Sequence, residues 1–144
     1  MMKNKKIVLP VLIVVLAGVA FMLLGRGEDE PKLKVHGEVY VLPKEFVINL
    51  ADGRFAKLGV GLVLPHEALA TAGGHGAAPP EGYGPLPQEA LVRDIVTDTL
   101  TDGSADELVS KEGRHHVKER ILKQIKKNSD VKAKEVLFTD VAVQ

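Results

Sequence analysis

The sequence contains no cysteine and no tryptophan, and its aromatic residues are four phenylalanines and two tyrosines. The absence of cysteine excludes disulfides, thiolate catalysis and cysteine-based zinc sites. So few aromatic side chains disfavour a surface that binds sugars or bases by stacking. There is also no net charge, because 19 basic side chains balance 19 acidic ones. Non-specific nucleic-acid binders are normally strongly basic, so we expect no nucleic-acid partner.

Catalytic motifs are absent as well. The chain has no GxSxG and no HExxH, and its glycine-rich stretch contains neither GxGxxG nor GxxxxGK. His66 and His75 are isolated, and a solvated role is the expected one. His115 and His116 are adjacent, so on a helix they point about 100° apart and do not chelate one metal. We therefore expect no enzyme, no metal site and no cofactor.

A long hydrophobic run is present near the N-terminus. Ile7 to Leu24 comprises 18 residues without a charged side chain. As a helix it spans about 27 Å, close to the ~30 Å hydrocarbon core of a bilayer. Lysines precede the run and the acidic residues 28–30 follow it. This asymmetry predicts a transmembrane helix over 7–24, with residues 1–6 in the cytoplasm and the rest of the chain on the far side.

A cleaved secretory signal is the alternative for the same segment. Gly18, Val19 and Ala20 are small enough for a cleavage site, but the apolar run continues from Phe21 to Leu24. A signal peptide usually turns polar at that point, so a retained anchor is favoured. A secreted enzyme with a mature chain that begins at Phe21 is the corresponding alternative function.

Residues 25–34 are charged and predict a linker, and residues 35–144 predict a single domain. Strands are expected over 35–41, 46–50 and 55–64, with Asp52-Gly53 in the hairpin turn between the last two. The third strand alternates with a period of two, which predicts one core face. That face consists of Ala56, Leu58, Val60, Leu62 and Leu64. For Gly59 and Gly61 on the other face, we expect ordinary strand curvature rather than a bulge.

The second half of the domain is expected to be mainly helical. Residues 71–87 hold five glycines and four prolines and predict a flexible loop. Helices follow over 88–100, from a Ser104–Glu107 capping box to about Gly113, and over 114–127. Strands followed by helices and a final strand predict an α+β fold, with an antiparallel sheet packed by helices.

The final strand is expected over 131–143. Val136 and Phe138 would lie on one face. The other face would carry Leu137, Thr139, Val141 and Val143.

Two groups of charged residues are candidate interaction sites. Arg93 and Asp94 lie on the first predicted helix and are able to anchor a partner or form a surface ion pair. The third predicted helix has a strongly basic side, which suits anionic lipid, an acidic partner or water. Its candidate residues are Arg120, Lys123, Lys126 and Lys127.

Several features in their order along the chain resemble one known family. These are the Asn49-Leu50 step before the hairpin, the run 92–95 (Val-Arg-Asp-Ile), the segment 104–108 followed by Gly113, and the ending 138–144. Together they resemble the flagellar basal body-associated protein FliL family. The resemblance extends over nearly the whole chain except residues 71–87, which look like a local insertion.

This resemblance implies a bacterial inner-membrane protein with a periplasmic domain similar to the stomatin/SPFH fold. It implies no enzymatic residues. It also implies association with the flagellar basal body and the stator proteins MotA and MotB, with oligomeric rings that support torque and motility. A general SPFH-like membrane scaffold unrelated to motility is the alternative function.

Overall fold

The computed structural model describes residues 35–68 and 78–144, which belong to one compact unit, Val35–Gln144. The predicted transmembrane helix 7–24, the predicted linker 25–34 and part of the predicted loop 71–87 lie outside the described residues. Among the residues that are described, no helix has the length and apolar character needed to cross a membrane.

The unit contains four strands and three helices in the described ranges. The strands are β1 (Glu38–Val41), β2 (Phe46–Asn49), β3 (Phe55–Leu64) and β4 (Glu135–Val143). The helices are α1 (Glu89–Leu100), α2 (Ala105–Val109) and α3 (Lys111–Asn128). The predicted α+β domain, an antiparallel sheet packed by helices, is therefore confirmed.

Strand β3 is the centre of the sheet. Strands β1 and β2 pair antiparallel with successive parts of β3, with Tyr40 opposite Leu62 and Ile48 opposite Ala56. Strand β4 pairs antiparallel with nearly the whole of β3. The predicted hairpin between β2 and β3 is confirmed, and Gly53 in its turn has φ +82°. Three strands thus depend on β3 for their backbone hydrogen bonds.

The core lies between one face of this sheet and the helices. The five alternating residues that the sequence predicts for that face of β3 are all 0% exposed. They pack with the apolar stripes of α1 and α3 because each helix repeats its apolar residues every three or four positions. The helix side of the core contains Val92, Val96, Leu100, Val117, Ile121 and Ile125.

A β-bulge interrupts the pairing of β3 with β4. Gly59 lies opposite Asp140, whereas the next residue, Val60, lies opposite Phe138, so Thr139 is the extra residue. The expectation of plain curvature at Gly59 is therefore wrong. A Cβ on Gly59 would collide with the Thr139 hydroxyl. With any larger residue at position 59, the Thr139 side chain would have to move.

The bulge also changes which residues of β4 face the core. An extra residue shifts the period-two alternation by one position. Val141 and Val143 therefore pack against the core, on the same face as Val136 and Phe138. The sequence placed Val141 and Val143 on the opposite face, which is wrong.

The boundary between α2 and α3 also differs from the prediction. Helix α2 ends at Val109, not near Gly113, and Ser110 is both its C-cap and the N-cap of α3. The Ser110 hydroxyl accepts a hydrogen bond from the Gly113 N–H at 3.0 Å. Gly113 thus lies in the first turn of α3, where a serine cap three residues earlier satisfies its free N–H.

Candidate interaction surfaces

Arg93 is committed to contacts within the domain. Its guanidinium donates to the carbonyl oxygens of Lys44 at 2.9 Å and Glu45 at 3.4 Å. The guanidinium also lies 4.3 Å from the centroid of the Phe46 ring. These contacts attach α1 to the turn between β1 and β2. Arg93 therefore has a positioning role inside the fold, while its role toward a partner stays a prediction.

Asp94 is exposed on the outer side of α1, one helical turn before Asp98, which is also exposed. Neither carboxylate has a hydrogen bond or ion pair among the described residues. Asp98 lines a groove of about 290 Å³ between α1 and α3, together with Arg120 and Gln124. The two carboxylates add negative charge to one side of the helical layer.

Arg120 forms a bidentate ion pair with Glu107 of α2. Its two terminal nitrogens donate to the two carboxylate oxygens at 3.2 and 3.1 Å. The hydrogen bonds from Arg120 lower the pKa of Glu107, and the Ser104 backbone N–H lowers it further. Glu107 therefore adds a link to α3 beyond its predicted capping role. The Ser104 hydroxyl accepts from the Asp106 N–H at 3.2 Å.

The other three basic candidates have different surroundings. Lys123, Lys126 and Lys127 are exposed on the second half of α3. They have no hydrogen bond or ion pair with any residue in 35–68 or 78–144. We call these three residues the α3 lysine cluster. Lys126 and Lys127 lie in the last turn, where positive charge also interacts favourably with the helix dipole.

The structure contains a buried polar cluster that was not predicted from the sequence. Glu89 is 3% exposed and accepts hydrogen bonds from the Tyr40 hydroxyl at 2.5 Å and the Gly84 N–H at 2.9 Å. Burial and the nearby Glu89 carboxylate raise the pKa of Tyr40. Because Glu89 shares the helical stripe of Val92 and Val96, its apolar neighbours were the signal that its side chain is buried.

This cluster attaches the segment before α1 to the sheet. Gly84 has no side chain, so its backbone N–H approaches the Tyr40–Glu89 pair, and a Cβ there would collide with the Tyr40 hydroxyl. The second carboxylate oxygen of Glu89 is buried without a hydrogen-bond partner in the described part of the chain. The Glu89 carboxylate thus holds residues 78–87, the described end of the predicted loop, against the sheet.

The sheet face opposite the helices is also a candidate surface, although no prediction from the sequence included it. Val39, Val41, Val47 and Phe55 are between 42% and 68% exposed. We call this face the open face of the sheet. The signal was present in β1, where Val39 and Val41 are apolar at positions that alternate with the core residue Tyr40.

The titratable groups of the described residues do not form a reactive site. Hydrogen bonding to Arg54 lowers the pKa of Asp52, and the Glu45 carboxylate raises the pKa of Lys57. Both are exposed ion pairs of the kind that adds little to stability. Within residues 35–68 and 78–144, no group of three or more metal-ligating side chains is placed to hold an ion.

Comparison with known proteins identifies a matching family. Residues 39–144 match the family model described as flagellar basal body-associated protein FliL. The match includes β2 to β4 and all three helices, and it begins within β1. A search of the curated proteins finds no significant match.

Proposed function

The chain belongs to the flagellar basal body-associated protein FliL family, and from this we propose that it supports the stator of the flagellar motor. The family is non-enzymatic and flagellar, so the domain contributes to motility. The proposed partners are MotA and MotB, around which copies of the chain would assemble into oligomeric rings. The single observation that carries the proposal is the family match across almost the whole domain.

The proposal includes a location and a chain topology. Residues 7–24 would span the inner membrane, residues 1–6 would lie in the cytoplasm, and the domain 35–144 would lie in the periplasm. The charge asymmetry around residues 7–24 supports this orientation. Confinement to the membrane raises the effective concentration of the domain near a membrane-embedded stator. We also propose that the domain shares the stomatin/SPFH fold.

Rings place a requirement on the surfaces of the domain. A closed ring needs two different complementary patches on each copy. The open face of the sheet exposes four large apolar side chains, whereas the outer side of the helical layer is mainly charged. This difference supports heterologous contacts between copies.

Gene deletion with complementation tests the functional proposal. We expect the deletion strain to lose swimming speed or swarming, most strongly in viscous medium where the motor works under high load. The full chain should restore motility and should co-purify with MotA and MotB from detergent-solubilised membranes. Unchanged motility at every load, together with no stator in the purified material, would overturn the proposal. Loss of membrane organisation without a motility defect would favour the general scaffold.

A further inference from the structure

The α3 lysine cluster differs from the arginines of the domain because its side chains make no hydrogen bond or ion pair with the described residues. All four arginines in the described ranges are engaged by acceptors of the same domain. Their acceptors are the Asp52 carboxylate for Arg54, two backbone carbonyls for Arg93, the Leu108 and Val109 carbonyls for Arg114, and the Glu107 carboxylate for Arg120. The three lysines of the cluster are instead solvent-exposed charges.

The fold places this cluster near the end of the domain at which the described chain begins. The Gln88 side chain donates to the Asp130 carboxylate at 2.9 Å, so the start of α1 lies beside the end of α3. Lys134 donates through its ammonium to the His36 carbonyl and through its backbone N–H to the Val63 carbonyl, both at 2.8 Å. The segment after α3 therefore runs from the lysine cluster to His36, just before β1.

We call the end of the domain at which the described chain begins the entry end. It is formed by residues 35–38, 64–68, 86–88 and 126–134. Its exposed lysines are Lys126, Lys127, Lys132 and Lys134, with Lys123 one turn earlier on α3. Its acids are Glu38, Glu67 and Asp130, and Gln88 engages the last of these. The entry end therefore has an excess of positive charge.

The opposite end of the domain has the reverse character. It is formed by the β2–β3 turn and the α1–α2 connection, where the Ala51 N–H donates to the Gly103 carbonyl at 3.2 Å. Asp52, Asp102 and Asp106 are exposed there. Arg54 is the basic residue of this turn and is paired with Asp52. The two ends of the domain thus differ in the sign of their excess charge, although acids are present at both.

We infer that the entry end docks on the anionic lipid headgroups of the membrane, with the α3 lysine cluster as its main contact. This inference rests on the proposed anchor. Residues 25–34 would tether Val35 to the bilayer by at most about 36 Å of extended chain. Lysine side chains near an anionic bilayer are attracted to it within a Debye length, about 8–10 Å at physiological salt. Docking would hold the domain upright, with its acidic end directed away from the membrane.

The absence of cysteine from the chain makes a direct test practical. Asn128→Cys places a fluorophore at the entry end, and Ala51→Cys places one at the opposite end. Both positions are exposed, and the Asn128 side chain donates a hydrogen bond to the Gln124 side chain at 3.0 Å. The labelled full chain is reconstituted into phosphatidylcholine vesicles with or without phosphatidylglycerol, and quenching by a nitroxide-labelled lipid is measured.

We expect phosphatidylglycerol to increase quenching at position 128 and to leave quenching at position 51 unchanged. High salt should abolish the increase, because it screens the attraction. The triple variant Lys123→Glu, Lys126→Glu, Lys127→Glu should lose it. The matched control Lys44→Glu, Lys111→Glu, Lys118→Glu makes the same charge change outside the cluster and should keep it. Circular dichroism checks that both variants fold.

Three results would overturn the inference. Quenching at position 128 that is independent of phosphatidylglycerol would exclude anionic lipid as the partner. Equal loss in the two triple variants would show an effect of net charge rather than of the cluster. A change in oligomer size on cluster reversal, without any lipid dependence, would assign the cluster to contacts between copies. Flotation with pure phosphatidylcholine vesicles tests the anchor separately, since insertion of residues 7–24 does not need anionic lipid.

Discussion

The two faces of the sheet contain similar residues but have different surroundings. On the covered face, Leu58, Val60 and Leu62 are 0% exposed beneath the helices. On the open face, Val39, Val41 and Val47 are 45%, 49% and 68% exposed. In β1 and β2 both faces carry apolar residues, so the sequence pattern of these two strands does not show which face is covered. The difference teaches that the covered face maintains the fold, whereas the open face is available for contacts outside the domain.

The largest expected effect is on the covered face. Leu58→Ala should lower the free energy of unfolding by about 2–5 kcal/mol, because it leaves a cavity that the packed surroundings only partly fill. Chemical denaturation of the full chain in detergent, followed by circular dichroism, measures the loss. If Leu58→Ala lowered the free energy of unfolding by less than Val47→Ala on the open face, the difference drawn between the two faces would be wrong.

The next effect tests the crowded part of the open face. Gly59→Ala should cost about 1–3 kcal/mol, because the new methyl group meets the Thr139 hydroxyl at the bulge. Adding Thr139→Ala should recover much of the loss, which a double-mutant cycle measures. Gly61→Ala is the control, since its nearest new contact would be 3.5 Å, an ordinary packing distance. Equal costs at both glycines would contradict this reading of the bulge.

The third prediction concerns Tyr40, on the covered face. Tyr40→Phe should cost about 1 kcal/mol, because it removes a hydrogen bond to the buried Glu89 carboxylate. Denaturation at neutral pH measures the difference. Phe46→Tyr is the control, because it adds a hydroxyl that lacks the Glu89 acceptor. Combined with Tyr40→Phe, it should not restore the lost stability.

The raised pKa of Tyr40 also predicts that the stability of the fold depends on pH. Its pKa is raised in the folded state, so the folded protein keeps this proton above pH 10.0, the ordinary tyrosine value, while the unfolded chain loses it. The unfolded state then binds fewer protons, and stability falls as pH rises above 10.0. Tyr40→Phe should remove this part of the decline. Parallel declines in the two proteins would contradict it.

The smallest effect is expected at the exposed valines. Val47→Ala should change the free energy of unfolding by no more than about 0.5 kcal/mol, as is usual for surface substitutions. If the open face contacts another protein, Val47→Lys should reduce motility or co-purification with little loss of stability. Normal motility in that variant would show that this part of the open face is not a contact surface.

Local pattern predicted most of the elements. The alternation in β3 identified its core face correctly, since every second residue from Ala56 to Leu64 is fully buried. Asp52-Gly53 predicted the hairpin turn because a glycine with positive φ is a local requirement. The apolar stripes of α1 and α3 were visible for the same reason, because they repeat within one helix.

Apart from the boundary between α2 and α3, which the Ser110 cap sets locally, the failures occurred where a residue depends on a neighbour far along the chain. The bulge at Thr139 exists in the pairing of β4 with β3, so no pattern within β4 shows it. Arg93 resembled a binding residue, but its acceptors are the carbonyls of Lys44 and Glu45 in a distant turn. Of the candidate residues, the three lysines of α3 and Asp94 stay unpaired among the described residues, and their role remains a proposal.

By itself, the sequence determined the class of fold, the hairpin, the core face of β3, the family and the long apolar run at residues 7–24. Each of these follows from short-range periodicity, composition or the order of local motifs. The tertiary structure alone decided which cations are free, that Glu89 is buried against Tyr40, and that the α3 lysines share an end of the domain with Val35. The last two features arise from contacts between residues 40 to 100 positions apart, such as Tyr40 with Glu89 and His36 with Lys134. Such contacts depend on how the sheet and helices pack, and no local pattern records that packing.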